Sequence, residues 1–188
     1  MYKGTSNDFV TPLHYLRVPL GGAMSDIVII VASSGMNLEL AKKFVEQAKS
    51  QSLQTELIEL EKMDWPMYSS SKEQDGKMPK EIDQIIAQLK QADNWLIVSP
   101  EYNGSIPPSL TNMVAWISRH DENFREYFTG KTVALATHSG GTGQNVIAAM
   151  KAQFTYLGSN VIDSELTASY SRSAQQEDID SIIEALKQ

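Results

Sequence analysis

From Asp26 onward, short unbroken apolar runs alternate with segments whose apolar residues recur every three or four positions. Ile27-Val28-Ile29-Ile30-Val31-Ala32, Trp95-Leu96-Ile97-Val98 and Thr132-Val133-Ala134-Leu135-Ala136-Thr137 are continuous runs, the pattern of strands buried on both faces. Residues 55–60 and a stretch within residues 160–167 predict two more strands. Between them the spacing predicts amphipathic helices. The first covers residues 38–50, with Ala41, Phe44, Val45 and Ala48 on one face. The next starts at Pro79, a favoured first helical residue, and buries Ile82, Ile85, Ile86 and Leu89. Leu110, Met113, Val114 and Ile117 stripe a third, Val146, Ile147, Met150 and Phe154 a fourth, and Ile179, Ile182, Ile183 and Leu186 the last. Strands alternating with helices predict an α/β fold, a doubly wound parallel sheet. Five strands suit the order 2-1-3-4-5 better than a six-stranded dinucleotide fold.

Residues 1–23 read differently. They mix polar residues with Pro12, Pro19 and Gly21-Gly22, show no period, and lack the apolar core of a signal peptide. The expectation is an N-terminal extension or leader ahead of a single domain over residues 24–188. An arm packing on a neighbouring subunit through Phe9, Leu13, Tyr15, Leu16 and Val18 is the alternative.

Composition narrows the chemistry. A length of 188 residues, with 41% hydrophobic and 21% charged residues, is ordinary for one globular domain. The net charge of −7 argues against nucleic acid, whose phosphates need a basic footprint. No apolar run reaches membrane-spanning length. The absence of cysteine excludes disulfides, iron–sulfur clusters and thiolate nucleophiles, and fits a reducing, cytoplasmic location. With only His14, His120 and His138 as histidines, no metal site is expected.

In the expected strand order, the loops after the first, third and fourth strands meet at one carboxyl edge, where open α/β sheets bind ligands. These loops are Ser33-Ser34-Gly35-Met36-Asn37, Pro100-Glu101-Tyr102-Asn103-Gly104-Ser105-Ile106 and His138-Ser139-Gly140-Gly141-Thr142-Gly143-Gln144. The first offers Ser33, Ser34 and Asn37 as donors, a turn at Gly35, and the positive end of a helix beginning near Leu38, which together suit a phosphate. An ordinary Ser/Asn helix cap is the competing reading. The third carries Gly140, Gly141 and Gly143, which expose backbone N–H groups; a flexible turn is the alternative. Gly130-Lys131-Thr132 resembles the end of a P-loop, but Arg125 replaces the needed glycine and a strand follows. Glu101 suits a solvated or helix-capping role better than general acid–base work. His138 suits a polar loop position better than catalysis.

The run Ser99-Pro100-Glu101-Tyr102-Asn103-Gly104-Ser105-Ile106-Pro107 closely resembles the loop of NAD(P)H-dependent FMN reductases, which have a flavodoxin-like fold. Ser109, Leu110, Asn112, Trp116 and Ser118 match the helix that follows it in that family; Asp64-Trp65-Pro66-Met67-Tyr68 resembles its loop after strand 2, and Gly140-Gly141-Thr142-Gly143 its glycine-rich loop. An Arg found in the first loop of many members has no counterpart here. The resemblance implies an FMN-dependent oxidoreductase that takes hydride from NADPH or NADH and reduces a small-molecule acceptor such as a flavin or quinone. It implies FMN phosphate on Ser33, Ser34, Met36, Asn37 and Leu38, the isoalloxazine along Pro100, Glu101, Tyr102, Asn103 and Gly104, and its pyrimidine side on His138, Ser139, Gly140 and Gly141. It further implies a homodimer or homotetramer and no obligatory acid–base side chain. A non-enzymatic FMN-binding electron carrier of flavodoxin type is the alternative.

Overall fold

Ile27, Ile29 and Val31 of the first strand face one way and Val28 and Ile30 the other, so both faces of the sheet demand cover. The computed structural model describes residues 24–187, and there five parallel strands form one sheet in the order β2-β1-β3-β4-β5. They are β1 (Ile27–Val31), β2 (Thr55–Glu59), β3 (Asn94–Val98), β4 (Thr132–Ser139) and β5 (Asn160–Ser169). This is the doubly wound order expected from the strand pattern. The expectation for residues 1–23 falls outside the described residues.

The helices are α1 (Met36–Ser50), α2 (Ser70–Gln74), α3 (Ile82–Leu89), α4 (Pro108–Ile117), α5 (Gln144–Leu157) and α6 (Gln176–Leu186). α1 and α6 cover one face, where Phe44 and Ile183 pack with Leu96, Val98 and Ala134. α3, α4 and α5 cover the other, where Trp95, Ile97 and Leu135 meet Leu89, Trp116, Phe128 and Phe154. Each buried Ile or Leu of these layers contributes about 2 kcal/mol of transfer free energy. Buried Trp95 directs its indole N–H to the carbonyls of Leu89 (3.3 Å) and Ala92 (3.2 Å), so its burial orphans no donor. Nearby, the buried Lys131 ammonium joins the Ala92 carbonyl and the Asp93 carboxylate, both at 2.8 Å, and closes the amino edge of the sheet.

Several boundaries depart from the sequence pattern. α1 starts at Met36 rather than Leu38, because Gly35 turns the chain at φ 67° and no side chain is needed to start the helix. Residues 79–81 form a turn, closed by the Ile82 N–H on the Pro79 carbonyl (3.2 Å), and α3 proper begins at Ile82. β5 runs on to Ser169, and between its pairings Val133↔Val161 and Leu135↔Glu165 it advances four residues against two on β4. That bulge, with exposed Asp163 and Glu165, blunts a sheet edge that would otherwise be open.

Candidate functional site

The carboxyl ends of β1, β3 and β4 are adjacent in the sheet, so the three loops singled out in the sequence meet at one edge. Their mutual geometry is fixed chiefly by Asn37. Its carboxamide oxygen accepts from the His138 N–H at 2.8 Å, and its amide nitrogen donates to the His138 carbonyl at 3.0 Å. β3 ends at Val98, opposite Ala136, so His138 lies beyond its last pairing. The Asn37 side chain takes the place of a strand backbone there and ties the first loop to the third. At 4% exposure it is a scaffold; a contact from this residue to a ligand must come through its backbone.

The first turn of α1 is otherwise unclaimed. The N–H groups of Met36, Asn37 and Leu38 have no protein acceptor among the described residues, and no side chain caps the helix. Gly35 leaves open space where a Cβ would point. Three amides without a protein acceptor at the positive end of a 15-residue helix are donors of the kind that suit an anion. The Ser34 N–H, by contrast, donates to the Glu61 carboxylate at 2.8 Å. Buried Ser33 completes the turn.

The second loop is a tight hairpin turn. Tyr102 and Ser105 exchange backbone hydrogen bonds at 3.0 and 3.1 Å, and Asn103 (φ 51°) and Gly104 (φ 73°) occupy its two central positions. Positive φ at both defines the Asn-Gly type I′ geometry. The turn holds the Tyr102 ring outward, 47% exposed, on a rigid stem that begins at buried Pro100. Glu101 accepts from the Val146 N–H at 3.2 Å and so caps α5 from another loop. The capping role expected for it is the one it has.

In the third loop the glycines differ in purpose. Gly140 and Gly141 are exposed, with nothing within 4 Å of an added Cβ, and the Gly141 N–H turns back to the buried Ser139 hydroxyl at 3.2 Å. Gly143 is buried, and its Cβ would lie 2.5 Å from Thr137 Cγ2. Its absent side chain lets α5 approach β4, a packing requirement that Gly140 and Gly141 do not share.

The loop after β5 reaches the same edge and was missed. Ser169 and Arg172 close a turn by paired backbone hydrogen bonds, and Arg172 also donates to the Thr167 hydroxyl. The Tyr170 ring, 81% exposed, stands edge-on to His138 with centroids 5.1 Å apart. The only advance signal was an aromatic residue just after the fifth strand. The loop after β2 is held by α4: Asn112 accepts from the Tyr68 N–H (2.7 Å) and donates to the Pro66 carbonyl (3.2 Å), which also takes the Trp116 indole N–H (2.7 Å). Ser109 donates to the Ala32 carbonyl at 2.5 Å. Of the helix residues that carried the family resemblance, Ser109, Asn112 and Trp116 are therefore braces for two loops. Between α4 and this loop lies a cavity of about 220 Å³, walled by Glu61, Trp65, Met67, Ser109 and Asn112 among others.

On that loop Tyr68 donates to the Glu73 carboxylate (2.8 Å), which also receives Arg119 (3.0 Å). The Tyr68 hydrogen bond first, and Arg119 second, hold Glu73 below the ordinary carboxyl value. Away from the edge, His120 bridges Asp83 (2.8 Å) and the Tyr127 hydroxyl (3.2 Å). No cluster of His, Cys, Asp and Glu among the described residues is arranged to hold a metal, and none of their helices is long and apolar enough to cross a membrane.

A flavodoxin-like sheet with backbone amides gathered at one carboxyl edge defines a doubly wound mononucleotide-binding class. Residues 25–172 match the family model described as NADPH-dependent FMN reductase, and the chain belongs to that family. A quinone reductase of Escherichia coli strain K12 is 36% identical over 78 residues, 42% of this chain and 40% of that protein. The match thus spans about two fifths of the curated relative. Among solved structures, the fold is similar to the NAD(P)H:(acceptor) oxidoreductase FerB of Paracoccus denitrificans (TM-score 0.68, 20% identity, covering 86% of this chain and 94% of that one). It is also similar to an FMN-dependent NADH-azoreductase of Bacillus anthracis solved with FMN (TM-score 0.62, 20% identity, 85% and 97% covered).

Proposed function

We propose that this chain is an FMN-dependent NAD(P)H oxidoreductase acting on small acceptors of the quinone or flavin type. The observation that carries the reading is the convergence of unclaimed loop amides at one sheet edge, within a chain of the FMN reductase family. The residues fit the cofactor: Met36, Asn37 and Leu38 offer backbone donors to a phosphate, with Ser33 and Ser34 beside them. Pro100, Glu101, Tyr102, Asn103 and Gly104 would line the ring, and His138, Ser139, Gly140 and Gly141 its pyrimidine side. Bound there, FMN supplies the hydride chemistry.

The chain's own contribution is orientation and electrostatics. The hairpin at Asn103-Gly104 and the Asn37 clamp fix the loops before ligand arrives. The open face of Gly140 and Gly141 lets a flat ring lie against the backbone. Glu101 is committed to α5, so proton transfer is not assigned to it. Exposed Tyr102 and Tyr170 flank the edge as apolar walls for a second planar substrate. A homodimer or homotetramer in the cytoplasm completes the reading.

The test is to load the purified protein with FMN and follow oxidation of NADH and NADPH with quinone, azo and flavin acceptors. Rapid, acceptor-dependent turnover supports the proposal. A protein that binds FMN but oxidises neither donor is an electron carrier.

A further inference from the structure

The Ser34 N–H belongs to the loop assigned to phosphate, yet it donates to a carboxylate, Glu61 Oε2, at 2.8 Å. Glu61 comes from a different strand connection, the 3-10 turn Leu60–Lys62 that follows β2. Among the described residues, no Lys, Arg or His forms an ion pair with it. Lys62, next to it in the chain, pairs with Glu59 at 2.7 Å, and Lys42 of α1 pairs with Glu39 at 2.8 Å. The loop after β1 holds no Lys or Arg of its own. A carboxylate on a loop amide beside a helix N-terminus is the geometry of a bound anion. A phosphate brought to Met36, Asn37 and Leu38 meets that charge and competes for the same loop dipoles.

Resting on the proposed function, we infer that Glu61 is a built-in competitor for the flavin phosphate, which makes FMN an exchangeable ligand of this protein rather than a permanently held group. Without flavin, Glu61 occupies the Ser34 N–H; with flavin, its charge opposes the phosphate across the loop. The contact therefore lowers affinity for phosphorylated flavin and leaves riboflavin, which lacks the phosphate, unaffected.

The experiment is a flavin-fluorescence titration of the apoprotein and of Glu61→Gln, each with FMN and with riboflavin. Glu61 is exposed, and Gln keeps the shape while removing the charge. The expected result is about tenfold tighter FMN binding by the variant, with riboflavin binding unchanged. Unchanged or weaker FMN binding by Glu61→Gln overturns the inference and identifies Glu61 as a brace for the loop. An equal gain for riboflavin overturns it too, because the effect would not act through the phosphate. If neither protein binds FMN, the phosphate seat itself is wrong and the inference falls with it.

Discussion

Asn37→Ala removes both hydrogen bonds that substitute for a strand at His138, and with them the tie between the first and third loops. The His138 N–H and carbonyl lose partners at 2.8 and 3.0 Å. Each lost bond to a backbone group with partial access to water is worth about 1–1.5 kcal/mol. The total is about 2–3 kcal/mol, or about 5–10 °C in melting temperature for a domain of this size. Urea unfolding of the apoprotein, followed by circular dichroism and by tryptophan fluorescence, measures it without any ligand. Asn37→Asp distinguishes the two bonds: its carboxylate still accepts from the His138 N–H but faces the carbonyl with a lone pair where a donor stood. It falls at least as far as Ala. A loss under about 0.5 kcal/mol in both variants refutes the claim that Asn37 holds the loops in place.

Three other outcomes follow from single contacts. Glu101→Ala removes the carboxylate from the Val146 N–H and lowers stability by about 1 kcal/mol in urea unfolding, while NAD(P)H-driven reduction of bound FMN, followed by absorbance, stays substantial; complete loss of reduction with FMN bound contradicts the absence of an acid–base role. Gly143→Ala forces a Cβ to 2.5 Å from Thr137 Cγ2 at φ 75° and costs about 2–3 kcal/mol, whereas Gly140→Ala leaves apoprotein unfolding unchanged; equal losses in both would remove the distinction between them. The Glu73 carboxyl lies below its ordinary 4.5, so it favours the folded state above that value and loses this contribution as pH falls through its own lower one. Tyr68→Phe moves it back up, seen in an NMR carboxyl titration; no movement means Arg119 alone sets it.

The sheet was legible because parallel strands buried on both faces need unbroken apolar runs, and β1, β3 and β4 have them. The helical stripes placed the layers for the same reason. Helix starts were less legible: Gly35 starts α1 by backbone geometry that leaves no side-chain cap to find, and Pro79 heads a turn before α3. The loops were found because their composition differs from the elements around them. What the side chains do in them was not, since Asn37 meets His138 across 101 residues and Glu61 meets Ser34 across 27. Asn37 looked like a ligand donor because its type fits either role, and only the position of β4 decides between them. Tyr170 went unnoticed because β5 ends later than its apolar residues suggest.

The central claim is that FMN occupies the edge where the β1, β3 and β4 loops meet. Amide chemical-shift mapping of the apoprotein titrated with FMN tests it most directly. The account predicts large shifts at Met36, Asn37, Leu38, Asn103, Gly104, Gly140 and Gly141, with little change at the opposite edge around Asp26, Asn94 and Lys187. Shifts centred on that opposite edge, or none in the three loops at saturating FMN, would contradict it.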